Sequence, residues 1–137
     1  MSLLPSGLEE AVSSEESLAR MILSSGHFAP STGRIKHPAF LPAPDNETSV
    51  FRADTLSPQD LTQHGALAAT GRTLYGAAIV NASMVRRAGL EVKSKEPPPH
   101  HANLTKWPVD TDPEMQKARR KVVATELAED AQWRNLE

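Results

Sequence analysis

The sequence predicts a single small α+β domain, with a mixed sheet of about four strands and three or four helices. Its length of 137 residues suits one domain with a real core. Apolar residues make up 39% of the chain and charged residues 23%, which is a globular composition. Helical periods also alternate along the chain with short apolar or alternating stretches, as in α+β domains.

Residues 1–12 are predicted to be a flexible lead, which leaves residues 13–137 as the domain. The stretch SSEESLARMILSSGHF then predicts a helix, because Ser13 and Glu16 have the spacing of a capping box. Gly26 is placed to end this helix. Its apolar residues recur at helical spacing: Leu18, Met21, Ile22 and Leu23.

Prolines punctuate residues 28–54, a segment that has no helical period. Within it, the stretches AF and SVFRA are rich in aromatic and β-branched residues and predict two short strands. The stretch PAPDNE between them consists mainly of turn-forming residues. We therefore expect the two strands to be joined through a turn.

A helix is predicted to follow, beginning at Pro58. Ser57 is placed to cap it, and proline is favourable at a first helical position. Asp60 complements the positive end of the helix dipole. Gly65 is expected to break or end this helix.

A compact strand–helix–strand unit comes next. The stretch TLYGAAIVNA is nearly all apolar or small and predicts a buried strand, whereas LEVKSKE alternates and predicts a half-buried one. NASMVRRAG between them predicts a short helix that ends at Gly89. We expect a parallel, right-handed connection between the two strands.

Pro97–Pro99 are predicted to form an extended, polyproline-like arm. The last helix is predicted over residues 112–135, because Asp112 is placed to cap it and Pro113 suits its first position. Its apolar residues approximate one stripe: Met115, Val122, Val123, Leu127 and Ala131.

Composition excludes several classes of protein. The net charge of -2 provides no global basic field to attract nucleic acid or an anionic membrane. The absence of cysteine excludes disulfides, thiol nucleophiles and thiolate metal sites. The N-terminus lacks a signal-peptide pattern, and no apolar run approaches the ~20 residues of a membrane span. We therefore expect a soluble, cytoplasmic protein.

The stretch PPPHHANLTKW, residues 97–107, is the main candidate binding surface. Its histidine, asparagine and tryptophan side chains hydrogen-bond and stack, and a loop held rigid by prolines loses less entropy on binding. The candidate residues are His100, His101, Asn103, Lys106 and Trp107. The alternative is structural, because a buried histidine beside an asparagine can satisfy backbone groups after a strand.

A first basic run, GRIKHPAF, is a candidate phosphate site. Arg34 and Lys36 lie on one face if the chain is extended, and Arg52 in the stretch SVFRAD would add a third cation. The alternative is a solvated strand edge, where charges discourage edge-to-edge aggregation.

A second basic run, KARRK, lies on the predicted last helix. Arg119 points away from the other three, which share a face: Lys117, Arg120 and Lys121. Acidic residues follow later in the helix, an order opposed to the helix dipole preference. This order favours a partner with an acidic surface, and the alternative is a solvated helix face.

No catalytic or cofactor motif occurs in the chain. G-x-S-x-G, S-x-x-K and the P-loop pattern are absent, and GRTLYG lacks the spacing of a dinucleotide fingerprint. No histidine pair has a helical metal spacing, and the adjacent His100 and His101 would point to opposite faces of a strand. We therefore expect neither a cofactor nor a metal.

Six stretches in order, HF, GRIKHPAF, SVFRAD, AAIV, GLEV and PPPHHANLTKWP, carry a resemblance over about residues 20–108. The chain resembles a group of small uncharacterised bacterial proteins that share a basic residue before AF, then SV, then G-L-x-V, then a proline-led H-A. The resemblance implies a bacterial cytosolic protein and carries over no activity. It points to the positions that match its pattern: Arg34, Phe40, Ser49, Val50, His101 and Ala102.

We interpret the chain as a non-catalytic binding or adaptor module that acts with a protein partner in the bacterial cytoplasm. Its surface would include residues 97–107 and the basic face of the last helix. The alternative is a small enzyme acting on nucleotide or nucleic-acid phosphates, with His101 as acid or base. Phosphate would then be held by Arg34, Lys36 and Arg52, so His101 and Arg34 would share one cleft. Nucleic-acid binding is not favoured, because the net charge is acidic.

Overall fold

The structure is a computed structural model that describes residues 2–136 as one α+β domain. Its strands are β1 (Ser17–Ile22), β2 (Phe28–Ala29), β3 (Arg34–Ile35), β4 (Thr48–Arg52), β5 (Gly76–Asn81), β6 (Glu91–Ser94), β7 (His101–Thr105) and β8 (Gln132–Asn135). The α-helices are α1 (Pro58–Ala69), α2 (Ala82–Arg87) and α3 (Pro113–Asp130). Two short 3-10 helices cover Ser25–His27 and His37–Ala39.

The main sheet has six strands in the order β6, β7, β4, β1, β5, β8, and a second small sheet pairs β2 with β3. Every pairing between neighbouring strands of both sheets is antiparallel. The α+β class is confirmed. The predicted mixed sheet of about four strands was wrong, because several strands are too short or too irregular in pattern to be recognised from the sequence.

Apolar side chains pack on both faces of the main sheet. On one face, Leu18, Val50 and Leu104 belong to the core that α2 and α3 cover through residues such as Val85 and Leu127. The other face carries a smaller cluster beneath α1: Ala19, Met21, Phe51, Leu61 and Ala77. We call this second surface the α1 face. At its β4–β7–β6 end it carries the exposed residues Ser49 and Lys93, so this part is open to solvent.

The helix predicted from Ser13 to Gly26 is instead the central strand β1. Half of the predicted capping box does form, since the Glu16 carboxylate accepts the Ser13 backbone N–H at 2.7 Å. The same residues close a turn, with the Glu16 N–H donating to the Ser13 carbonyl at 3.2 Å. Because β1 is buried on both faces, its apolar residues do not alternate and resemble a short helix in sequence.

The predictions for α1 were right at its start and wrong at Gly65. Ser57 Oγ accepts the Asp60 N–H at 3.0 Å, and Pro58 opens the helix. Gly65 lies inside the helix and is buried against the sheet. A Cβ at Gly65 would lie 2.7 Å from Leu74 Cδ2 and 3.1 Å from Met21 Sδ, so the glycine permits close packing instead of ending the helix.

The last helix begins as predicted, with Asp112 Oδ1 accepting the Glu114 N–H at 3.0 Å. It ends at Asp130, and the residues after it form the edge strand β8 against β5. Trp133 in β8 stacks on Phe28, with ring centroids 4.4 Å apart, and this contact holds the strand. The predicted stripe was partly wrong, since Met115 and Val122 are 46% and 59% exposed.

Two other predicted strands have different outcomes. SVFR is the strand β4, as predicted, whereas Ala39 ends a 3-10 helix in which the Phe40 N–H donates to the His37 carbonyl at 3.1 Å. β5 and β6 are both confirmed and run in the same direction. They are not neighbours, because β1, β4 and β7 lie between them in the sheet.

The predicted polyproline arm is a tight connection between β6 and β7. The Lys95 N–H donates to the His101 carbonyl at 2.9 Å, and the His101 N–H donates to the Pro98 carbonyl at 3.2 Å. The Glu96 carboxylate accepts the His100 N–H at 3.1 Å and Ser6 Oγ–H at 2.6 Å. These bonds fold the prolines back onto the domain.

Residues 2–12, the predicted lead, also lie against the main sheet. Leu3 and Glu9 form a β-bridge, and Val12 is only 6% exposed in the core. Ser94 Oγ donates to the Glu10 carbonyl at 2.7 Å. None of the helices formed by residues 2–136 is long and apolar enough to cross a membrane.

Candidate functional site

The residues of the candidate surface at 97–107 differ in exposure: some are buried in the core and others face solvent. Trp107 is 3% exposed and part of the core, so it does not present a stacking face to a partner. Asn103 is 6% exposed and its Nδ2 donates to Glu47 Oε1 at 2.6 Å. Lys106 is exposed and has a positive φ of 65°. The binding roles of Trp107 and Asn103 stay predictions, and in the structure burial occupies the first side chain and a bond to Glu47 the second.

His100 and His101 have different environments. His100 lies in the turn with a positive φ of 69°, and its ring centroid is 5.6 Å from that of His64 on α1. Its Nδ1 is buried and has no hydrogen-bond partner among the described residues. His101 begins β7, and its ring packs edge-on against Phe51 with centroids 5.5 Å apart. Both rings are thus on the α1 face of the sheet, contrary to the prediction that adjacent histidines point to opposite faces.

Ser49 and His101 are joined by a short hydrogen bond. Ser49 Oγ and His101 Nε2 are 2.6 Å apart, and His101 Nδ1 lies 2.8 Å from the Lys95 carbonyl oxygen. The carbonyl is only an acceptor, so Nδ1 carries a proton, and Nε2 is an acceptor whenever the ring carries that one proton alone. Ser49 Oγ–H is then the donor. We call these two residues the Ser49–His101 pair.

Polar residues continue from this pair across β7 and β6. Ser49 is the register partner of Asn103, and Asn103 is the register partner of Lys93. Glu47, Asn103, Lys93 and Lys95 line a shallow cavity of 260 Å³. The open end of the α1 face is therefore a polar surface with two lysines and one carboxylate near the exposed residue Ser49.

Arg52 is not available to hold phosphate. It is 3% exposed, and its Nε and Nη2 donate to the two carboxylate oxygens of Glu16 at 2.8 and 3.0 Å. Its Nη1 donates to the Glu9 carbonyl at 2.6 Å and to Ser94 Oγ at 3.1 Å. The guanidinium therefore ties the N-terminal segment to the sheet, and these internal bonds engage the donors that the predicted phosphate role requires.

The two basic runs of the sequence lie on the two sides of one groove. Between α3 and residues 34–42 there are two adjoining cavities, of 510 and 270 Å³, and His37 lines both. We call the two cavities together the basic groove. The first run contributes Arg34 and Lys36 to the larger cavity. The second run lines the smaller one: Lys117, Arg120 and Lys121.

The prediction that KARRK divides between two directions is confirmed. Arg119 points away from the basic groove and pairs with Asp110, with Nη2 and Oδ2 3.8 Å apart. Arg120 also has a structural contact, since its Nε donates to the Pro108 carbonyl at 2.8 Å. Because α3 begins at Pro113, Lys117 lies beyond the first turn, where the helix dipole has little effect. The order of charges along α3 therefore costs little against the helix dipole and does not by itself favour a partner.

Four cations of the basic groove have no acidic partner among residues 2–136. The salt bridges in this part of the chain involve other residues, whereas Arg34, Lys36, Lys117 and Lys121 are exposed and form none. Burial lowers the pKa of His37, and the charge of Lys121 lowers it further. His37 is therefore a neutral polar group in the groove at pH 7. It lies close enough to α3 for the charge of Lys121 to lower its pKa.

The geometry required by the phosphate-enzyme alternative is absent. Arg34 and Lys36 line a cavity with α3, which covers one face of the sheet. His101 packs against Phe51, which belongs to the cluster on the opposite face. The sheet therefore separates His101 from the cations predicted to hold phosphate. Among residues 2–136, no three histidine or acidic side chains are placed to hold a metal ion.

Sequence reasoning missed Ser49 as a hydrogen-bonding partner of His101 and missed that the two basic runs meet. The only sequence signal for Ser49 was its place in the resemblance pattern, which also contains His101. Nothing in local spacing could join these two residues, because their contact depends on the β4–β7 register.

This chain matches no family model, no curated protein and no solved structure. Its resemblance to a group of small bacterial proteins therefore stays a prediction. The function has to be argued from the geometry of the groove and of the Ser49–His101 pair.

Proposed function

We propose that this protein is a binding module of the bacterial cytoplasm, whose basic groove binds an acidic segment of a protein partner. One observation carries the proposal. Two basic runs, far apart in the sequence, line one groove, and four of their cations form no salt bridge within residues 2–136. Exposed cations gathered in this way attract a complementary acidic surface and orient it.

The groove also offers apolar contacts, which favours a peptide segment over a free anion. Leu41 and Pro42 line the smaller cavity, and Pro38, Ala128 and Ala131 line the larger one. A partner segment that places acidic side chains near the lysines would have its apolar side chains against these residues. Apolar burial supplies affinity, while the charges supply the association rate and specificity.

Acidic residues near the groove favour a protein partner over nucleic acid. Glu129 lines the larger cavity, and Glu126 and Asp130 are exposed on the same half of α3. A nucleic-acid backbone needs a continuous basic stripe, because each phosphate is charged. These carboxylates interrupt such a stripe, whereas an acidic peptide can avoid them by its sequence.

The test is binding of a fluorescein-labelled peptide of alternating Glu and Leu, followed by fluorescence anisotropy. We expect the double variant Lys117→Glu/Lys121→Glu to weaken binding at least ~10-fold, since each 1.4 kcal/mol is about tenfold in affinity. Added salt should weaken wild-type binding as well, because the groove cations are exposed.

The control is Lys106→Glu/Arg119→Glu, which has the same net charge but changes exposed residues outside the groove. It should bind the peptide like the wild type. The proposal fails if the wild type does not bind the peptide or if both double variants lose affinity equally. It also fails if a single-stranded DNA of similar length binds more tightly than the acidic peptide.

A further inference from the structure

The Ser49–His101 pair lies on the other face of the sheet from the basic groove and has no part in the function proposed above. Its hydrogen-bond directions follow from the Lys95 carbonyl, which accepts the Nδ1 proton of His101 at 2.8 Å. The Nε2 lone pair then accepts the Ser49 hydroxyl proton over 2.6 Å, at the short end for such bonds. A hydroxyl, a base and a group that orients the base together form the arrangement of an activated nucleophile.

Both members of the pair are held by rigid parts of the fold. Ser49 lies within β4, and its carbonyl oxygen accepts Arg20 Nη1–H at 2.9 Å where β1 and β4 diverge. His101 lies at the start of β7, and Phe51 packs against its ring with centroids 5.5 Å apart. Ser49 is nevertheless an exposed residue, so a substrate can approach it. Preorganised groups of this kind lose little entropy on reaching a reactive geometry.

The neighbouring lysines indicate the class of substrate. The register places Ser49, Asn103 and Lys93 in one row across β4, β7 and β6. Neighbouring strands lie ~4.8 Å apart, so the Lys93 backbone is roughly 10 Å from that of Ser49, within reach of a lysine side chain and a small substrate. Lys93 and Lys95 line a 260 Å³ cavity that Asn103, the register partner of Ser49, also lines. Glu47 is the one carboxylate in this lining, so two lysines and one carboxylate leave a net positive charge, which favours a negatively charged group.

We propose that Ser49 is a nucleophile, with His101 as its general base, for acyl transfer from small carboxylic esters that carry a negative charge. Ser49 Oγ forms a bond to the carbonyl carbon as its proton passes to His101 Nε2. The ester C–O bond then breaks, and the leaving alcohol takes that proton from His101. Water hydrolyses the acyl-serine by the reverse proton transfers, which releases the acid and restores the Ser49 hydroxyl.

The test is covalent labelling by a fluorophosphonate, in which the serine oxygen binds phosphorus and fluoride leaves. We expect one adduct by intact mass, mapped to the peptide that carries Ser49, and no adduct with Ser49→Ala. His101→Gln should slow labelling at least ~100-fold, within the usual contribution of a general base. The controls Ser31→Ala and His27→Gln should label like the wild type.

A second measurement keeps the proposal testable if His101→Gln folds poorly. 4-Acetoxy-3-nitrobenzoate, an ester that carries a carboxylate, should give a burst of about one equivalent of the nitrophenol product per wild-type chain, and none with Ser49→Ala. The neutral ester p-nitrophenyl acetate should react more slowly, and equal rates would contradict the preference for a negative charge. The circular dichroism spectrum of each variant shows whether it is folded. The proposal is overturned if the folded wild type gives neither adduct nor burst, or if folded His101→Gln labels at the wild-type rate.

Discussion

Arg52 and Glu16 form a two-contact ion pair that holds the N-terminal segment to the sheet. Arg52 Nε donates to Glu16 Oε1 at 2.8 Å and Nη2 donates to Oε2 at 3.0 Å. The two side chains are 4% and 15% exposed. The same guanidinium donates to the Glu9 carbonyl and to Ser94 Oγ. Arg52 in β4 is therefore bonded to the N-terminal segment, to the turn that precedes β1 and to β6.

Replacing Arg52 by methionine should lower the free energy of unfolding by about 3 kcal/mol, because it leaves a partly buried carboxylate without its partner. Urea denaturation followed by circular dichroism measures this change. The control Arg87→Met removes an exposed arginine of α2 and should change stability by less than about 0.5 kcal/mol. A loss below about 1 kcal/mol at Arg52 would mean that the pair behaves like a surface ion pair.

The same pair predicts a loss of stability in acid. Burial raises the pKa of Glu16, but the hydrogen bonds from Arg52 and Ser13 outweigh it and hold the pKa below its usual 4.5. A carboxylate with a lowered folded pKa contributes stability that is present above pH 4.5 and lost as the pH falls through the folded value. Denaturation at a series of pH values should therefore show a steeper loss below pH 4.5 in the wild type than in Glu16→Gln. If stability falls equally steeply in the wild type and in Glu16→Gln, the loss in acid does not come from protonation of Glu16.

His64 should produce a separate loss of stability at milder pH. Burial lowers its pKa, the neighbouring His100 lowers it further, and Asp60 opposes both. The unfolded chain therefore binds a proton more readily, so stability is full above the ordinary value of 6.5 and decreases as the pH falls below it. His64→Gln should flatten the dependence between neutral pH and about pH 5. If the free energy of unfolding of His64→Gln falls with pH as steeply as that of the wild type, His64 is not the cause of the loss.

Gly76 should be required for the docking of β8. A Cβ at this position would lie 2.5 Å from the Trp133 ring and would also meet the Arg134 carbonyl oxygen, a backbone atom that cannot move away alone. Gly76→Ala is therefore expected to cost about 1–3 kcal/mol, as overpacking does. Tryptophan fluorescence should also shift, because Trp133 would leave its stacked position on Phe28.

The control for this prediction is Gly26→Ala. A Cβ at Gly26 would meet only Ser24 Oγ within 4 Å, at 3.7 Å, which is ordinary contact. Its fluorescence should remain that of the wild type. If Gly76→Ala also leaves fluorescence and stability unchanged, β8 can shift to make room for the added Cβ, and Gly76 is not required for its docking.

Local chemistry explains the parts of the fold that the sequence predicted. Ser57 and Asp112 cap α1 and α3 as expected, because a cap needs only a side-chain oxygen and the N–H groups of the next turn. Gly89 follows α2 with a positive φ of 96°, as a stop signal should. These interactions join residues that are close in the sequence, so the sequence is sufficient to place them.

Segments whose structure depends on distant partners were predicted wrongly. β1 contains a mixed apolar run, and only its pairing with β4 and β5 makes it a strand. Residues 132–135 carry the helical pattern of α3 onward, yet β5 and Phe28 hold them as an edge strand. Trp107 was a candidate binding residue because its side chain can stack on a partner, although the core surrounds it.

The sequence by itself determined the α+β class, the starts of α1 and α3, and the division of KARRK between two directions, because short-range geometry decides each of these. The tertiary structure alone decided that GRIKH and KARRK line two adjoining cavities, which share His37, and that Ser49 meets His101. It also decided that Arg52 donates hydrogen bonds to Glu16 and to the Glu9 carbonyl inside the fold. The physical reason is that strand register and helix packing, which bring these residues together, are set by burial of the whole core rather than by any local pattern.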